Sequence, residues 1–263
     1  MSTKLTGQVA VVTGASSGIG WALAKALAAE GCRVGLLARR EEPLKTLAAE
    51  IVAAGGTAFP TVADVTKRES IEAGVAAVRA ALGPIDLAVA NAGVGKPTLL
   101  EPVNVADVEA MFRVNVLGLV YTFAAVMPEM LSRKSGRLVA VSSLAGYRGL
   151  PGESAYCASK AAVNVYTDGL RIHLRGTGVS ATTICPGFVH TPMTAMNTFH
   201  MPGVMTAEAA ARRIVWAIKR GKKVDNFPWR LHLLTKLSRW VPDGFINWMM
   251  GDYNAEAKKQ MGA

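Results

Sequence analysis

Tyr156 and Lys160 stand four residues apart in this 263-residue chain, and Ser143 precedes the tyrosine by thirteen residues. Residues four apart share one face of a helix, so an ammonium at 160 would lie close to a phenol at 156. A free tyrosine has a pKa of about 10, and a nearby positive charge favours the phenolate. The trio predicts a proton-transfer site, although a Tyr–Lys pair at this spacing also occurs in helices that carry no chemistry.

Ser142 competes with its neighbour Ser143 for the role of the third residue, because both follow the same apolar run. The side chains of consecutive strand residues point to opposite faces of a sheet, so only one of the two can face a site. The thirteen-residue interval to Tyr156 favours Ser143.

A glycine-rich turn joins the first apolar run to an alanine-rich stretch, with the sequence Thr-Gly-Ala-Ser-Ser-Gly-Ile-Gly at 13–20. Glycines let the backbone turn sharply and approach a pyrophosphate, which the free N–H groups of a following helix stabilise. The spacing differs from Gly-x-Gly-x-x-Gly and lacks the lysine of a P-loop. The sequence predicts that a dinucleotide contacts Gly14, Ser16, Ser17, Gly18, Ile19 and Gly20.

Short β-branched runs alternate with helical patterns through the first two thirds of the chain. The predicted strands are 8–13, 33–38, 57–62, 85–90, 136–142 and 179–185. The predicted helices are 18–30, 41–54, 67–82, a pair covering about 105–131, and 154–175. Apolar strands separated by helices are typical of a parallel sheet covered on both faces. We therefore expect a single-domain α/β fold with a doubly wound, Rossmann-like parallel sheet and a C-terminal helical extension.

Composition and cysteine usage fit a cytoplasmic protein with one large core. The chain is 51% hydrophobic, and its N-terminal residues lead into a strand without the apolar core of a signal peptide. No apolar run reaches the ~18 residues of a membrane-spanning helix. Three scattered cysteines predict neither a disulfide framework nor a metal site. Cys157 lies beside Tyr156, and we interpret it as a small buried residue instead of a reactive thiol.

The motifs together resemble the short-chain dehydrogenase/reductase family, in its compact branch of roughly 250 residues, from about residue 7 to residue 222. In addition to the glycine turn and the Ser–Tyr–Lys trio, the matching residues are Asp64, Asn91-Ala92-Gly93, Asn115, Pro186-Gly187 and Thr191. The resemblance implies an oxidoreductase that uses a nicotinamide cofactor.

The resemblance also implies a role for each matching residue. Asp64 and Val65 would contact the adenine, and Asn91, Ala92 and Gly93 would steady the sheet beside the cofactor. The segment that contains Pro186, Gly187, Val189 and Thr191 would meet the nicotinamide. Tyr156 would donate or accept the proton and Ser143 would orient the substrate oxygen. Lys160 would bind the ribose and lower the pKa of Tyr156. Asn115 would hold a water that connects Lys160 to solvent, unless it serves as a capping or buried polar residue.

Arg39 and Arg40 follow the second predicted strand, where an NAD-selective chain usually carries an acidic residue. An arginine there can bind the extra phosphate of NADP through a charge-assisted pair. We predict NADP(H), with Arg39 as the main contact and Arg40 as the secondary one, or as a surface charge. Ser17 weakens this prediction, because NADP-selective relatives often have a basic residue at that position.

A methionine-rich segment follows the sixth predicted strand, in the region where the family places its substrate lid. It contains Met193, Met196, Phe199, Met201 and Met205. Methionine adapts to irregular apolar ligands, so we infer an apolar ketone or secondary alcohol, although packing of the loop onto the core explains the same residues. We interpret His190 as a loop residue because the sequence offers it no catalytic partner.

The net charge of +10 is concentrated near the C-terminus: residues 212–263 carry eleven basic and four acidic residues, a surplus of +7. Trp229, Leu233, Leu234, Leu237, Trp240 and Val241 fall at helical spacing among Arg230, Lys236 and Arg239. Such a stripe covers a pocket or a subunit interface, which we favour, or makes weak peripheral membrane contact through residues 229–250. No recognition motif indicates nucleic acid.

The sequence thus predicts an NADP-dependent carbonyl reductase or alcohol dehydrogenase, divided into a catalytic domain at 1–222 and an extension at 223–263 packed on the same domain. The alternatives are a 3-oxoacyl thioester reductase and, from another class, a non-catalytic nucleotide-binding regulator or membrane-surface protein. By family resemblance we expect a homodimer or homotetramer built on the helices around 105–131 and 154–175.

Overall fold

The computed structural model describes residues 4–195 and 201–249 of the chain. In these residues, seven parallel strands form one sheet: β1 Val9–Thr13, β2 Arg33–Ala38, β3 Thr57–Val62, β4 Leu87–Ala90, β5 Gly136–Val141, β6 Val179–Pro186 and β7 Val224–Phe227. The strands lie in the order β3-β2-β1-β4-β5-β6-β7. The order reverses between β1 and β4, which leaves a crevice at the carboxyl ends of the strands.

Nine α-helices are present in the described part of the chain. They are α1 Gly18–Ala29, α2 Glu41–Ala53, α3 Arg68–Leu82, α4 Val105–Phe112, α5 Gly118–Ser132, α6 Ser154–His173, α7 Ala207–Lys219, α8 Trp229–Leu237 and α9 Asp243–Met249. A π-helical turn, Arg113–Leu117, connects α4 to α5, and 3-10 turns span Leu144–Tyr147 and Ser238–Trp240.

Alternation along the buried strands divides the core into two layers. Ala10 and Val12 of β1 belong to a cluster that contains buried residues of α1, α2 and α7. Val9 and Val11 of the same strand belong to a second cluster, with buried residues of α3, α5 and α6. Because successive side chains point to opposite faces, each face of the sheet needs its own helical cover. The predicted doubly wound, Rossmann-like fold is confirmed.

The predicted element bounds agree with the structure to within two residues for the six strands and for the helices named from sequence. The seventh strand, β7, was not among the predicted strands, so the sheet continues beyond residue 222. Its sequence is Val-Asp-Asn-Phe, in which two polar residues interrupt the apolar run that predicts a buried strand. Asp225 is buried because Arg213 of α7 donates two hydrogen bonds to its carboxylate, at 2.7 and 2.8 Å.

The two edges of the sheet are β3 and β7. In β3, Pro60 pairs with Leu36 of β2, and proline fits an edge strand because it has no N–H to donate. The other edge, β7, is only four residues long and is followed directly by Pro228.

One helical stretch, Val105–Ser132, is long and apolar enough to cross a membrane by length and composition, with a mean hydropathy of 1.6 over its most apolar window. This differs from the expectation that no apolar run reaches such a length. The stretch comprises α4, the π-turn and α5, and its buried Phe123 and Met130 pack in the second core cluster. Core helices of globular proteins often have this composition, because they are apolar wherever they face a sheet.

Candidate active site

A cavity of about 330 Å³ opens at the carboxyl ends of the strands, around the point where the strand order reverses. The residues predicted to contact the cofactor all line it: Gly14, Ser16, Ser17, Gly18, Ile19, Gly20, Arg39, Arg40, Asp64, Val65, Asn91, Ala92, Gly93, Tyr156, Lys160, Pro186, Gly187, Val189 and Thr191. Ser143 also lines it, whereas Asn115 lies behind its wall. The fold therefore brings residues from six strand ends into one cleft.

The glycine turn fits its surroundings only because it has no side chains at three positions. Gly14 and Gly18 have φ angles of 67° and 57°, in the left-handed region that favours glycine. A Cβ on Gly20 would lie 2.3 Å from the Gly14 carbonyl oxygen. The turn thus brings the start of α1 tightly against the cleft.

The N-terminus of α1 is free to bind an anion. Its N-cap residue, Ser17, makes no side-chain capping hydrogen bond, and the first turn contains no acidic residue. The first N–H groups of a helix have no partner within the helix, and the helix dipole places positive charge there. A pyrophosphate fits this position, as it does at other glycine turns that open into a helix.

Two basic residues lie at the rim of the cleft, beyond β2. Arg40 donates hydrogen bonds to the side-chain and main-chain oxygens of Ser16, at 3.0 and 3.2 Å. Arg39 makes no hydrogen bond to a described residue, and its charge acts on Asp64. Burial raises the pKa of the Asp64 carboxyl, but hydrogen bonds from Thr66 and the charges of Arg39 and Lys67 outweigh burial and leave that pKa below its usual range. The Arg39 guanidinium is therefore the one available to an added phosphate.

Asn91 fastens the end of β4 to the glycine turn. Its amide group donates hydrogen bonds to the Thr13 and Gly14 carbonyls, at 3.0 and 3.4 Å. The Thr13 hydroxyl accepts from the main-chain N–H groups of Asn91 and Ala92, at 3.1 and 3.2 Å. These bonds fix the floor of the cleft, which is the supporting role that the family resemblance implied.

Ser143, Tyr156 and Lys160 meet at the inner end of the cleft. Ser143 caps the 3-10 turn after β5, where its hydroxyl accepts from the Ala145 N–H at 3.1 Å. The Ser142 hydroxyl instead donates to the Lys160 main-chain carbonyl at 3.0 Å and so anchors α6. The Lys160 ammonium donates to the Val141 carbonyl at 3.1 Å and lies 5.8 Å from the centroid of the Tyr156 ring.

Burial shifts the pKa values of the tyrosine and the lysine in opposite directions, because it disfavours the charged form of each. It raises the pKa of Tyr156 to about 12, although a hydrogen bond with Ser143 opposes the shift. It lowers the pKa of Lys160 to about 8. Burial of the phenol is the largest influence on the pKa of Tyr156 here, and the predicted lowering of that pKa by Lys160 stays a prediction.

Asn115 serves as a buried clamp within the π-turn. Its amide nitrogen donates to the Val94 carbonyl and to the Ser159 hydroxyl, both at 2.9 Å. Its amide oxygen accepts from the Val94 N–H at 2.8 Å. The side chain thereby joins the loop after β4 to α6, which is the buried polar role that the sequence left open. Its predicted water-holding role stays a prediction.

The loop after β6 contains a residue that sequence reasoning missed. The Thr194 hydroxyl donates to the Val189 carbonyl at 2.7 Å and accepts from the Thr191 N–H at 3.1 Å, and Thr194 lines the cavity. No motif marked Thr194, because its position depends on the fold of this loop. The side chain of His190 is exposed, and its main-chain N–H donates to the main-chain carbonyl of Met205.

Met193 contributes an apolar side chain to the cavity near Tyr156. Atoms of Tyr156 and Met193 both lie within 4 Å of the position that a Cβ on Gly95 would occupy. Met205 packs against the first core cluster. For this methionine, packing of the loop onto the core explains the sequence better than contact with a substrate. The predicted lid residues Met196 and Phe199 lie outside the described residues.

Cys157, which lies beside Tyr156, is a buried thiol. Burial raises the pKa of the Cys157 thiol to about 11, and the side chain is buried. A thiol with a raised pKa is inert at neutral pH, as expected for a small core residue. Among residues 4–195 and 201–249, no group of His, Cys, Asp or Glu could hold a metal ion.

Comparison with known proteins identifies relatives over most of the chain. A family model described as short chain dehydrogenase matches residues 8–201. An uncharacterized oxidoreductase of Myxococcus xanthus is 43% identical over 91% of this chain and 95% of its own length. The ketoacyl reductase HetN of a Nostoc species is 36% identical over 82% of this chain and 77% of its own length.

Solved structures with the same fold contain either nicotinamide cofactor. A short chain dehydrogenase/reductase from Burkholderia phymatum in complex with NAD has a TM-score of 0.84 and 27% identity, over 90% of this chain and 94% of that one. An actinorhodin polyketide ketoreductase variant with NADPH has a TM-score of 0.77 and 30% identity, over 86% of this chain and 97% of that one.

Proposed function

This chain belongs to the short-chain dehydrogenase/reductase family and is an oxidoreductase, and we propose that it is an NADP-dependent reductase of an apolar ketone, able to run in reverse on the secondary alcohol. The observation that carries the proposal is the presence of Ser143, Tyr156 and Lys160 in one cavity with the glycine turn. That cavity combines an anion-binding helix end with a proton donor at its inner end.

NADP(H) would be held by groups that match its charge. The free N-terminus of α1 suits the pyrophosphate, Arg39 suits the extra phosphate, and Lys160 suits the nicotinamide ribose. Solved relatives contain NAD or NADP, so they do not favour one cofactor over the other. The proposal of NADP instead of NAD therefore rests on Arg39.

The residues at the inner end of the cleft would perform the proton chemistry of ketone reduction. A bound reduced nicotinamide supplies the hydride. As negative charge develops on the substrate oxygen, Ser143 donates a hydrogen bond to it and Tyr156 delivers a proton from its hydroxyl. Because the pKa of Tyr156 is raised to about 12, the phenol stays protonated at neutral pH. In this protonated form the phenol can deliver the proton that ketone reduction requires.

Reduction of 3-oxoacyl thioesters is a second candidate, since it uses the same proton donor and cofactor. It is favoured by the ketoacyl reductase and polyketide ketoreductase that are similar to this chain. Both candidates share the motifs, so we infer that substrate choice lies in the loop after β6, which lines the cavity.

The test is NADPH consumption with a panel of apolar ketones, steroids and acyl thioesters, using the wild-type protein and Tyr156→Phe. Removing the proton donor is expected to lower turnover by about 10²- to 10⁴-fold while NADPH still binds. Tyr166→Phe, on the same helix but outside the cavity, is the matched control and should keep full activity.

Two results would contradict the proposal. If Tyr156→Phe retains near-full turnover, the proton-transfer role is wrong. If the wild-type protein binds NADPH but reduces no member of the panel, the non-catalytic nucleotide-binding alternative is favoured.

A further inference from the structure

The C-terminal segment, residues 229–248, turns most of its large apolar side chains outward. We call these side chains the C-terminal apolar surface: Trp229, Leu233, Leu234, Leu237, Trp240, Phe245 and Trp248, each between 49% and 89% exposed. Single exposed apolar residues are common on protein surfaces, whereas a larger exposed apolar patch indicates a binding site for another molecule. Five residues of the predicted stripe, Trp229, Leu233, Leu234, Leu237 and Trp240, are therefore about half exposed or more, whereas Val241 is half-buried.

One face of α8 is docked on the fold by a ring contact, a hydrogen bond and apolar packing. The His232 ring lies 5.2 Å from the Tyr147 ring, and its Nε2 is 3.1 Å from the Asn226 amide nitrogen. The Leu231 side chain packs beside Gly187, in the loop after β6. Since Leu231, His232 and Thr235 occupy the inward face, the side chains of Leu233, Leu234 and Leu237 must point away.

The charges around this surface are positive. Arg230, Lys236 and Arg239 are exposed beside the apolar side chains. Asp243, the acidic residue of this segment, pairs with Arg148 at 2.6 Å. If two copies met through this surface, their basic residues would face one another without acidic partners in the described segment, and that repulsion opposes self-association. An anionic surface complements the same charges.

We propose that the C-terminal apolar surface binds the headgroup region of an anionic lipid bilayer. Tryptophan suits the boundary between headgroups and acyl chains, leucine side chains enter the acyl region, and arginine and lysine pair with anionic headgroups. Because α8 packs against the 3-10 turn that follows Ser143, binding would bring the catalytic cleft close to the lipid. On the reductase activity proposed above, this position suits substrates dissolved in the membrane.

The first experiment is sedimentation of the full chain with vesicles of phosphatidylcholine alone and with vesicles containing about one third phosphatidylglycerol. The protein should sediment with the anionic vesicles and remain in solution with the neutral ones. Binding should weaken when salt rises from about 0.05 to about 0.5 M, because salt screens the headgroup charges. Tryptophan emission should shift to the blue, since three of the five tryptophans lie in this surface.

A matched pair of variants identifies the surface. Leu234→Glu places a charge at a residue that is 63% exposed, and Val52→Glu does so at a residue of α2 that is 58% exposed. Leu234→Glu should reduce partitioning onto anionic vesicles by about tenfold or more, whereas Val52→Glu should not change it. Both should bind NADPH like the wild-type protein, which checks their fold. The binding assay needs no turnover, so its result is independent of the proposed reaction.

Three outcomes would overturn the proposal: no sedimentation of the wild-type chain with anionic vesicles, equal binding of Leu234→Glu and wild type, or equal binding to neutral and anionic vesicles. A concentration-dependent dimer that Leu234→Glu dissociates, without vesicle binding, would identify the surface as an interface between copies.

Discussion

Residue spacing in the sequence marks both the catalytic cleft and the C-terminal apolar surface, but the marked side chains are packed in the cleft and exposed at the C-terminal apolar surface. In the cleft, motif residues are held by partly buried hydrogen bonds and by glycines with no room for a side chain, as Asn91 and Gly20 illustrate. At the C-terminal apolar surface, Trp240 is 89% exposed and Gly244 has no described atom within 4 Å of the position of an added Cβ. The difference teaches that apolar periodicity predicts a helix, but only the tertiary contacts tell which face is buried.

The largest contrast should come from adding one methyl group in each region. Gly20→Ala would force the Gly14 carbonyl or the Asn91 amide to move, and overpacking of this kind costs about 1–3 kcal/mol. Gly244→Ala should leave the free energy of unfolding unchanged or raise it by up to about 1 kcal/mol, because alanine favours helix. Chemical denaturation measures both. Equal unfolding free energies for the two variants would contradict the contrast.

Charge reversal at the rim of the cleft should change cofactor choice, and charge reversal at the C-terminal apolar surface should not. Arg39→Asp is expected to reduce the preference for NADPH over NADH by about 10- to 100-fold, because a charge-assisted hydrogen bond contributes about 1.5–3 kcal/mol. Arg230→Asp, which lies outside the cavity, is the control. The measurement is the ratio of kcat/KM values for the two cofactors. An unchanged ratio in Arg39→Asp would mean that another group selects the cofactor.

A smaller effect should appear in the pH dependence of NADPH binding. Burial lowers the pKa of Lys160 to about 8, so its positive charge is present below that pH and lost as pH rises through it. The affinity of the free protein for NADPH should be constant near neutral pH and fall by about threefold to tenfold above pH 8, as an ionic hydrogen bond is lost. Fluorescence titration measures this affinity. A flat profile across alkaline pH would exclude Lys160 as the titrating group.

The sheet and most of the cleft could be predicted from sequence because both depend on local signals. Buried strands such as Val9–Thr13 appear in the sequence as continuous apolar runs. The glycines of the glycine turn indicate its backbone conformation directly, because they occupy positions with positive φ angles. β7 escaped prediction because Asp225 and Asn226 are satisfied by partners distant in sequence, Arg213 and Tyr147.

Other features depend on contacts that no pattern reports. The π-turn that places Asn115 between Val94 and Ser159 has no signature of its own. The raised pKa of Tyr156 depends on how deeply the phenol is buried, which the spacing of Tyr156 and Lys160 could not give. The outward orientation of α8 is decided by His232 and its partners, whereas the sequence favoured a packed stripe.

Open sheet edges recruit strands from other molecules, which is how many proteins aggregate. Pro60 removes a donor from one edge of this sheet, and the opposite edge offers four residues before Pro228. Neither edge can therefore act as a long template for a strand of another chain. Copies of this protein are consequently expected to associate through side chains on helices, and concentrated solutions should resist fibril formation as long as the fold remains intact.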